Sequence, residues 1–248
     1  MAISAFLIVF NEEKRLSRSI ASLDWVDEIV VVDGGSADRT AEICKNAGVQ
    51  LFPRPFDNFA NQKNYALSLT RHEWVLSIDA DEIVPPVLAK EIETKVRESP
   101  NSIQGYFIKR RNYFLGKPLR FGRQGNEKIL RLFRKESGVF VGDVHELVRV
   151  RGNTGVLENT FDHFGTQNFS EYFEKLRLYT SLEANRLIQE NRVPSHLEAA
   201  LKPPTKWVLN YILFCGFLDG KVGFFYHGLS CYYDWIKNFK ALRKNVNR

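Results

Sequence analysis

Trp74-Val75-Leu76-Ser77-Ile78-Asp79-Ala80-Asp81-Glu82 is an apolar run of strand formers that ends abruptly in three carboxylates. Read as a strand over 74–79, its alternation puts Asp79 and Asp81 on one side of the strand end. Two carboxylates so placed suit a hard divalent cation that also holds phosphate oxygens. The same residues fit a strand followed by an acidic turn, with Asp81 as a cap and Glu82 at the start of the next helix. Asp-x-Asp alone does not choose between the two readings, so the flanking segments must.

Upstream, strands and helices alternate. Ala2–Phe10 is a continuous apolar run, as expected for a strand covered on both faces. Asn11–Leu23 carries Leu16, Ile20 and Leu23 at helical spacing, with acids ahead of bases as the helix dipole favours. Glu28–Val32 reads as a second buried strand ending in Asp33-Gly34-Gly35-Ser36. Ser36 is placed to cap a helix over Ala37–Ala47, and Gly48 to close it. Val49–Pro53 is a short strand, Phe59–Thr70 a helix and Trp74–Asp79 the next strand. This alternation specifies a largely parallel α/β sheet, in which ligands sit at the carboxyl ends of the strands. Phe10-Asn11, Asp33-Gly34-Gly35 and Asp79-Ala80-Asp81 all fall there, and their convergence on one crevice says more than any one of them. Asp33 is placed to accept from a base or ribose hydroxyl, and the two glycines let the backbone approach a ligand. A plain βα turn accounts for the same residues. A Rossmann dinucleotide site is disfavoured, because Phe10-Asn11-Glu12-Glu13 has no glycine for a pyrophosphate.

The chain has 248 residues, enough for one large domain or one domain with appendages. Its 26% charged and 44% apolar content fits a folded rather than a disordered chain. The net charge of +6 points to an anionic partner: a phosphorylated substrate, nucleic acid or an acidic membrane surface. Cys44, Cys215 and Cys231 suggest neither a disulfide framework nor a zinc site, and so a reducing compartment. Met1–Phe10 lacks a basic leader and runs straight into Asn11-Glu12-Glu13, which reads as a first strand rather than a signal peptide.

Leu7-Ile8-Val9-Phe10-Asn11-Glu12-Glu13, the run from Val30 through Asp33-Gly34-Gly35-Ser36 to Thr40, and Leu76–Glu82 resemble glycosyltransferase family 2. The resemblance implies the GT-A fold, a Rossmann-like α/β domain of nucleotide-diphospho-sugar transferases with a mostly parallel sheet. That domain spans 1–165, with a nucleotide-sugar half at 1–100 and an acceptor half at 101–165. A helical C-terminal extension follows over 166–248. Gln62-Lys63-Asn64, Arg110-Arg111-Asn112-Tyr113-Phe114-Leu115-Gly116, Leu130-Arg131-Leu132-Phe133-Arg134 and Val144-His145-Glu146 are similar to the bacterial lipopolysaccharide-core glucosyltransferases. The resemblance therefore implies an inverting transfer, with UDP-glucose the favoured donor and a lipopolysaccharide-core or lipid-linked glycan the acceptor. Matched position by position, it assigns Phe10, Asn11, Glu12, Asp33, Gly35, Lys63 and Asp79 to the nucleotide-sugar. It assigns Asp81 and Asp79 to Mg²⁺ or Mn²⁺ at the diphosphate, with Asp81 the direct ligand and Asp79 acting through water or on the ribose.

Inversion needs a base that takes the proton of the attacking hydroxyl. Glu127, just ahead of a strand at Ile129–Phe133, matches the family's acidic position, with glutamate where aspartate is the pattern. Glu146 is its rival. A surface carboxylate and a salt bridge to Arg131 or Arg149 are the non-catalytic readings of the two. His145 and His163 are read as hydrogen-bonded structural histidines ahead of metal ligands. Arg110, Arg111, Arg131 and His145 are candidates for gripping a donor diphosphate or a phosphorylated acceptor. Solvated arginines on exposed strand faces explain many of the bases at 110–134 equally well.

Phe169–Asn191 carries Phe169, Tyr172, Phe173, Leu176, Leu187 and Ile188 on one helical stripe. Pro194, Pro203 and Pro204 break the chain after it. Trp207–Leu218 and Val222–Ile236 are apolar, and each falls short of the ~20 residues of a spanning helix. One reading is a hairpin of helices on an anionic membrane surface, with Lys237, Lys240, Arg243 and Lys244 meeting headgroups. The other is packing against the catalytic domain or a second copy in a homo-oligomer. Together these expectations describe a cytoplasmic, metal-dependent glycosyltransferase of the cell envelope, peripheral to the inner face of the cytoplasmic membrane. A polyprenyl-phosphate sugar transferase is the alternative within that class. A non-catalytic nucleic-acid-binding module is the alternative outside it, and it leaves Asp33, Asp79 and Asp81 unexplained, since they repel phosphate.

Overall fold

The computed structural model describes residues 1–142, 146–166 and 168–246. The chain divides into two units, Met1–Arg110 with Lys128–His163, and Arg111–Glu127 with Phe164–Arg248. The segment Arg111–Glu127, expected in the acceptor half, therefore goes with the helices. The first unit carries β1 (Ile3–Val9), α1 (Leu16–Ala21), β2 (Glu28–Asp33), α2 (Thr40–Asn46), β3 (Gln50–Pro53), α3 (Phe59–Leu69), β4 (Trp74–Ser77), β5 (Glu82–Ile83), α4 (Pro86–Glu98) and most of β6 (Ile103–Phe114). The second unit takes β7 (Lys117–Pro118). The chain then gives the first unit β8 (Lys128–Arg134), β9 (Gly138–Val141), β10 (Leu147–Val150) and most of β11 (Asn153–Thr166). The second unit ends with α5 (Phe169–Gln189), α6 (His196–Val208) and α7 (Gly220–Val246).

In the first unit the sheet order is β3-β2-β1-β4-β8-β6-β11-β5. The strands β3, β2, β1 and β4 run parallel. From β8 onward the pairing is antiparallel, with β4 to β8, β8 to β6 and β11 to β5. The order turns back at β1, with β2 and β3 on one side and β4 on the other. In such sheets this switch point opens a crevice at the carboxyl ends of the strands. The continuous apolar reading of β1 holds because both of its faces are covered: Ile3, Ala5, Leu7 and Val9 enter one core cluster and Phe6 the other. Trp74 and Leu76 of β4 join the first cluster, and Val75 joins Phe6, Phe133 and Phe140 in the second.

Several local expectations change. β4 stops at Ser77, and Asp79–Asp81 lie in a turn rather than on the strand, so alternation does not set their sides. The turn is closed by the Glu82 N–H donating to the Asp79 carbonyl at 3.0 Å and by the Asp79 N–H donating to Glu82 Oε2 at 3.0 Å. Glu82 then begins β5, not a helix. The helix expected from Ala37 starts at Thr40, and the Ser36 oxygen accepts from the Asn11 N–H at 2.8 Å, with its hydroxyl donating to Asp33 Oδ1 at 2.6 Å, instead of capping it.

In the second unit α7 packs on α5 and α6. Tyr172 Oη donates to the Leu229 carbonyl at 2.7 Å, and Lys206 Nζ to Asp234 Oδ2 at 2.6 Å. Pro203 and Pro204, expected to break the chain, lie inside α6. Pro204 has no N–H for the carbonyl of Ala200 one turn back. Trp235 Nε1 of α7 donates to that carbonyl at 3.1 Å, so the helix passes through the proline with the acceptor satisfied. The tail lysines expected at a membrane are engaged within the bundle. Lys237 reaches Asp234 and Glu183, Lys240 donates to Thr180 and Ser181, and Lys244 donates to Asn185.

Candidate active site

The floor of the crevice is two loops locked to each other. After β1, Asn11 takes a left-handed conformation at φ 55, which asparagine tolerates better than most residues. Its N–H donates to Ser36 Oγ at 2.8 Å, and its Oδ1 accepts from the Ala37 N–H at 2.8 Å. Next along, the Glu12 N–H donates to Thr40 Oγ1 at 2.9 Å and the Glu13 N–H to Asp38 Oδ2 at 3.0 Å. Asp33, at the end of β2, accepts the Ser36 N–H and hydroxyl, which fixes the turn below it. Gly35 follows at φ 99 with open space where a Cβ would stand. Phe10 is 59% exposed at the end of β1, with its ring against Gly34. Phe10, Asn11, Glu12, Asp33 and Gly35 thus meet at one sheet edge.

Behind this floor lies a buried ionic cluster. Lys63, on α3, is 3% exposed, and its ammonium donates to Asp79 Oδ1 at 2.9 Å and Glu146 Oε1 at 2.7 Å. Leu76 pairs with Leu132, so the adjacent Arg131 of β8 reaches past the end of β4. Its Nη2 donates to Asp79 Oδ2 at 2.6 Å and Glu82 Oε1 at 2.5 Å. Burial alone would raise the Asp79 carboxyl. Arg131 and Lys63 overcome that effect and hold it well below the usual carboxylate range. Glu82, fully buried, is pushed up by its burial in spite of Arg131. A buried ion cluster of this kind persists only when each charge is paired and hydrogen-bonded. Arg131 was expected at a phosphate, but it is buried between two carboxylates and is part of the scaffold. Arg134 is likewise buried, bonded to Glu73 and lying over the Trp74 ring at 4.8 Å.

Asp81 faces differently. Its Oδ2 lies 3.4 Å from Nε2 of His163, which β11 presents opposite Glu82 of β5. Burial again opposes, and His163 lowers the Asp81 carboxyl below its ordinary range. Both side chains keep an exposed edge, at 21% and 23%. Asp79 is 34% exposed, but both of its oxygens are taken by cationic donors, whereas Asp81 meets an imidazole. No group of three or more His, Cys, Asp or Glu side chains among the described residues is arranged to hold an ion. A carboxylate and an imidazole at this spacing fit a divalent ion that takes its other ligands from phosphate oxygens and water. Sequence reasoning set His163 aside, because a lone histidine carries no spacing signal and only the β5–β11 pairing brings it to Asp81.

The remaining candidates lie elsewhere. Arg110 is half-buried on β6. Arg111, in the second unit, sits over the Tyr113 ring at 5.8 Å, and that ring stacks on Phe164 at 4.4 Å. Glu127 stands immediately before β8, 3.5 Å from Asn112 Nδ2 within the second unit. His145 lies outside the described residues.

A model of the family "Glycosyl transferase family 2" matches residues 4–156, which include the three strand ends, Lys63, Asp81 and Glu146. The chain is 28% identical over its full length to the lipopolysaccharide core biosynthesis glycosyltransferase LpsC of Rhizobium meliloti (strain 1021), covering 97% of that protein. It is 30% identical to an uncharacterized glycosyltransferase of Rickettsia felis, over 77% of this chain and 71% of that one. Among solved structures, S. aureus TarS 1-349 aligns over 100% of this chain and 92% of its own at a TM-score of 0.50 and 15% identity, a likeness of fold. The mixed sheet with its parallel N-terminal half is the GT-A arrangement, and the family match runs over well over half of the sequence: the chain belongs to glycosyl transferase family 2.

Proposed function

We propose that this glycosyltransferase moves a sugar, glucose by preference, from a UDP-sugar to a lipopolysaccharide-core or related lipid-linked glycan, with inversion at the anomeric carbon. One observation carries the reading: the two aspartates of the turn are divided, with both Asp79 oxygens bonded to the cations Lys63 and Arg131 and Asp81 paired with the imidazole of His163. The full-length similarity to a lipopolysaccharide-core enzyme supports the acceptor class.

In this reading Asp81 and His163 hold a divalent ion, which when bound supplies positive charge where the sugar–phosphate bond breaks. An imidazole in the ligand set favours Mn²⁺ over Mg²⁺. Asp33 takes the ribose or base, Phe10 offers an exposed ring to the base, and the left-handed Gly35 lets the backbone come close to the donor. Glu127 is the base that takes the acceptor proton, by its position directly before β8. Glu146 is the positioning residue that holds Lys63. A lipid-linked acceptor places the enzyme at the inner face of the cytoplasmic membrane. No single helix among the described residues is long and apolar enough to cross one.

The test is a thermal-shift series with UDP, UDP-glucose and other nucleotide-sugars, with and without Mn²⁺, because a ligand of the native state raises its melting point. It is followed by NMR of the anomeric configuration of the product. UDP-glucose is expected to stabilise the protein most in the presence of Mn²⁺, and the product to be the β-glucoside. Stabilisation by no nucleotide-sugar, or a product that retains the donor's configuration, overturns the reading.

A further inference from the structure

The second unit has an apolar corner. α6 ends at Val208, and a π-helical turn (Leu209–Leu213) and a 3₁₀ turn (Gly216–Asp219) carry the chain into α7. The helical runs on either side meet at a 74° bend, and together, though not singly, they have the length and composition of a broken membrane segment. Backbone conformation builds the break, with Cys215 at φ 57 and Gly220 at φ 63.

Large apolar side chains face outward here: Leu213 is 68% exposed and Leu218 55%, and Ile212, Phe214, Phe217 and Phe224 are also exposed. Ring contacts join several of the aromatic ones. Phe217 and Phe224 both meet the Tyr211 ring, at 6.3 and 6.0 Å between centroids. Phe224 meets Phe225 at 5.8 Å, and Phe225 meets the exposed Phe169 at 6.0 Å. Exposed apolar surface of this kind marks a contact with a partner or a membrane.

The charges around the corner select between the two. Its acid, Asp219, accepts the backbone N–H groups of Arg120 and Phe121 at 3.0 to 3.2 Å, so its charge is tied down by donors. Arg120, Arg123 and Lys221 are exposed, and the Arg123 guanidinium lies 5.6 Å from the centre of the Phe214 ring. An apolar centre with a basic border is the pattern of a helix that lies in an anionic lipid surface.

We propose that this corner, and not the basic tail, is a membrane wedge. The apolar side chains between Leu209 and Phe225 sink into the headgroup–acyl boundary of an anionic bilayer, and Arg120, Arg123 and Lys221 meet its phosphates. The proposal deepens the membrane-peripheral reading given above and rests on it. The tail lysines cannot serve in this way without breaking the bonds that hold α5 to α7.

The experiment is flotation of the full chain with vesicles of equimolar phosphatidylglycerol and phosphatidylcholine, and with vesicles of phosphatidylcholine alone. The wild type is expected to float with the anionic vesicles. Leu213→Asp/Phe217→Asp is expected to lose at least about ten-fold in partitioning, and Arg123→Glu/Lys221→Glu to lose the preference for phosphatidylglycerol. Circular dichroism checks that both variants are folded. Leu218→Trp keeps the surface apolar, and its emission is expected to shift to shorter wavelength when anionic vesicles are added, which tests the wedge even where the aspartate variant does not fold. A wild type that stays with the soluble fraction, an aspartate variant that floats as well as the wild type, or an unshifted emission overturns the proposal. So does a dimer, seen by light scattering, that the aspartate substitutions dissolve in a protein that ignores vesicles; the occupant is then a second copy. Donor stabilisation is read without vesicles, so failure of the transferase reading shows on that measurement alone.

Discussion

His163 Nε2 lies 3.4 Å from Asp81 Oδ2, although one belongs to a long strand late in the chain and the other to the turn after β4. The register of β11 on β5 brings them together. If the pair holds a divalent ion, His163→Ala and Asp81→Asn each weaken Mn²⁺ binding in the presence of UDP by more than about ten-fold. Paramagnetic resonance of free Mn²⁺ reads this directly. Each substitution leaves the melting point without metal nearly unchanged, since both side chains are partly exposed. Unaltered Mn²⁺ affinity in both variants removes the pair from the metal site.

The two candidate carboxylates separate by kinetics. Glu127→Gln keeps the shape and removes a proton acceptor, so kcat is expected to fall roughly 10²–10⁴-fold with donor affinity nearly unchanged. Glu146→Gln takes a charge from Lys63, and its main effect is expected on the KM of the donor. Transfer lost in Glu146→Gln and kept in Glu127→Gln exchanges the two roles.

Lys63→Met leaves the Asp79 and Glu146 carboxylates facing a methyl group. Removing one partner of a buried ionic cluster typically costs 3–5 kcal/mol, and the partial exposure of both acids puts the expected loss near the lower end, about 3 kcal/mol in urea unfolding. Glu146→Gln in the Lys63→Met background is expected to recover part of it. Strict additivity of the two losses means that the ammonium and Glu146 are not energetically coupled.

His227 is 3% exposed, packs against Gly122 and Gly216, and has an Nε2 with no partner among the described residues. Burial lowers its pKa, with Asp219 opposing. The unfolded chain therefore takes up this proton at a higher pH, near the ordinary ~6.5, than the folded one does. The stability is fully present above that value and is lost as pH falls through the window below it. The unfolding midpoint of the wild type is expected to drop more between pH 7.5 and 5.5 than that of His227→Gln. Equal drops in the two proteins discard the idea.

What the sequence made legible was local. Continuous apolar runs marked β1, β2 and β4, and Asp33-Gly34-Gly35 announced a strand end with open space beside Gly35. What it hid was set by partners distant in the chain. Ser36 has the residue type of a helix cap, but its hydroxyl donates to Asp33 and accepts from the Asn11 N–H, which draws it into the turn. Glu82 looked like a helix start because its partner, Arg131, comes much later. Asp79 and Asp81 were visible as a pair, but their division between two cations and an imidazole depends on α3, β8 and β11 arriving around the turn. The lysines of α7 read as a basic tail until α5 supplied their acceptors.

The hydrogen bond from Trp235 to the Ala200 carbonyl has a consequence across generations of sequence. Pro204 is tolerated in α6 because an indole on another helix replaces the donor that proline lacks. If Pro204 mutates to a residue with an N–H, the carbonyl regains a donor in its own helix and Trp235 is released from that duty. If Trp235 mutates first, the proline becomes a liability. The two positions should therefore drift as a pair among relatives, with the tryptophan appearing before the proline and disappearing after it.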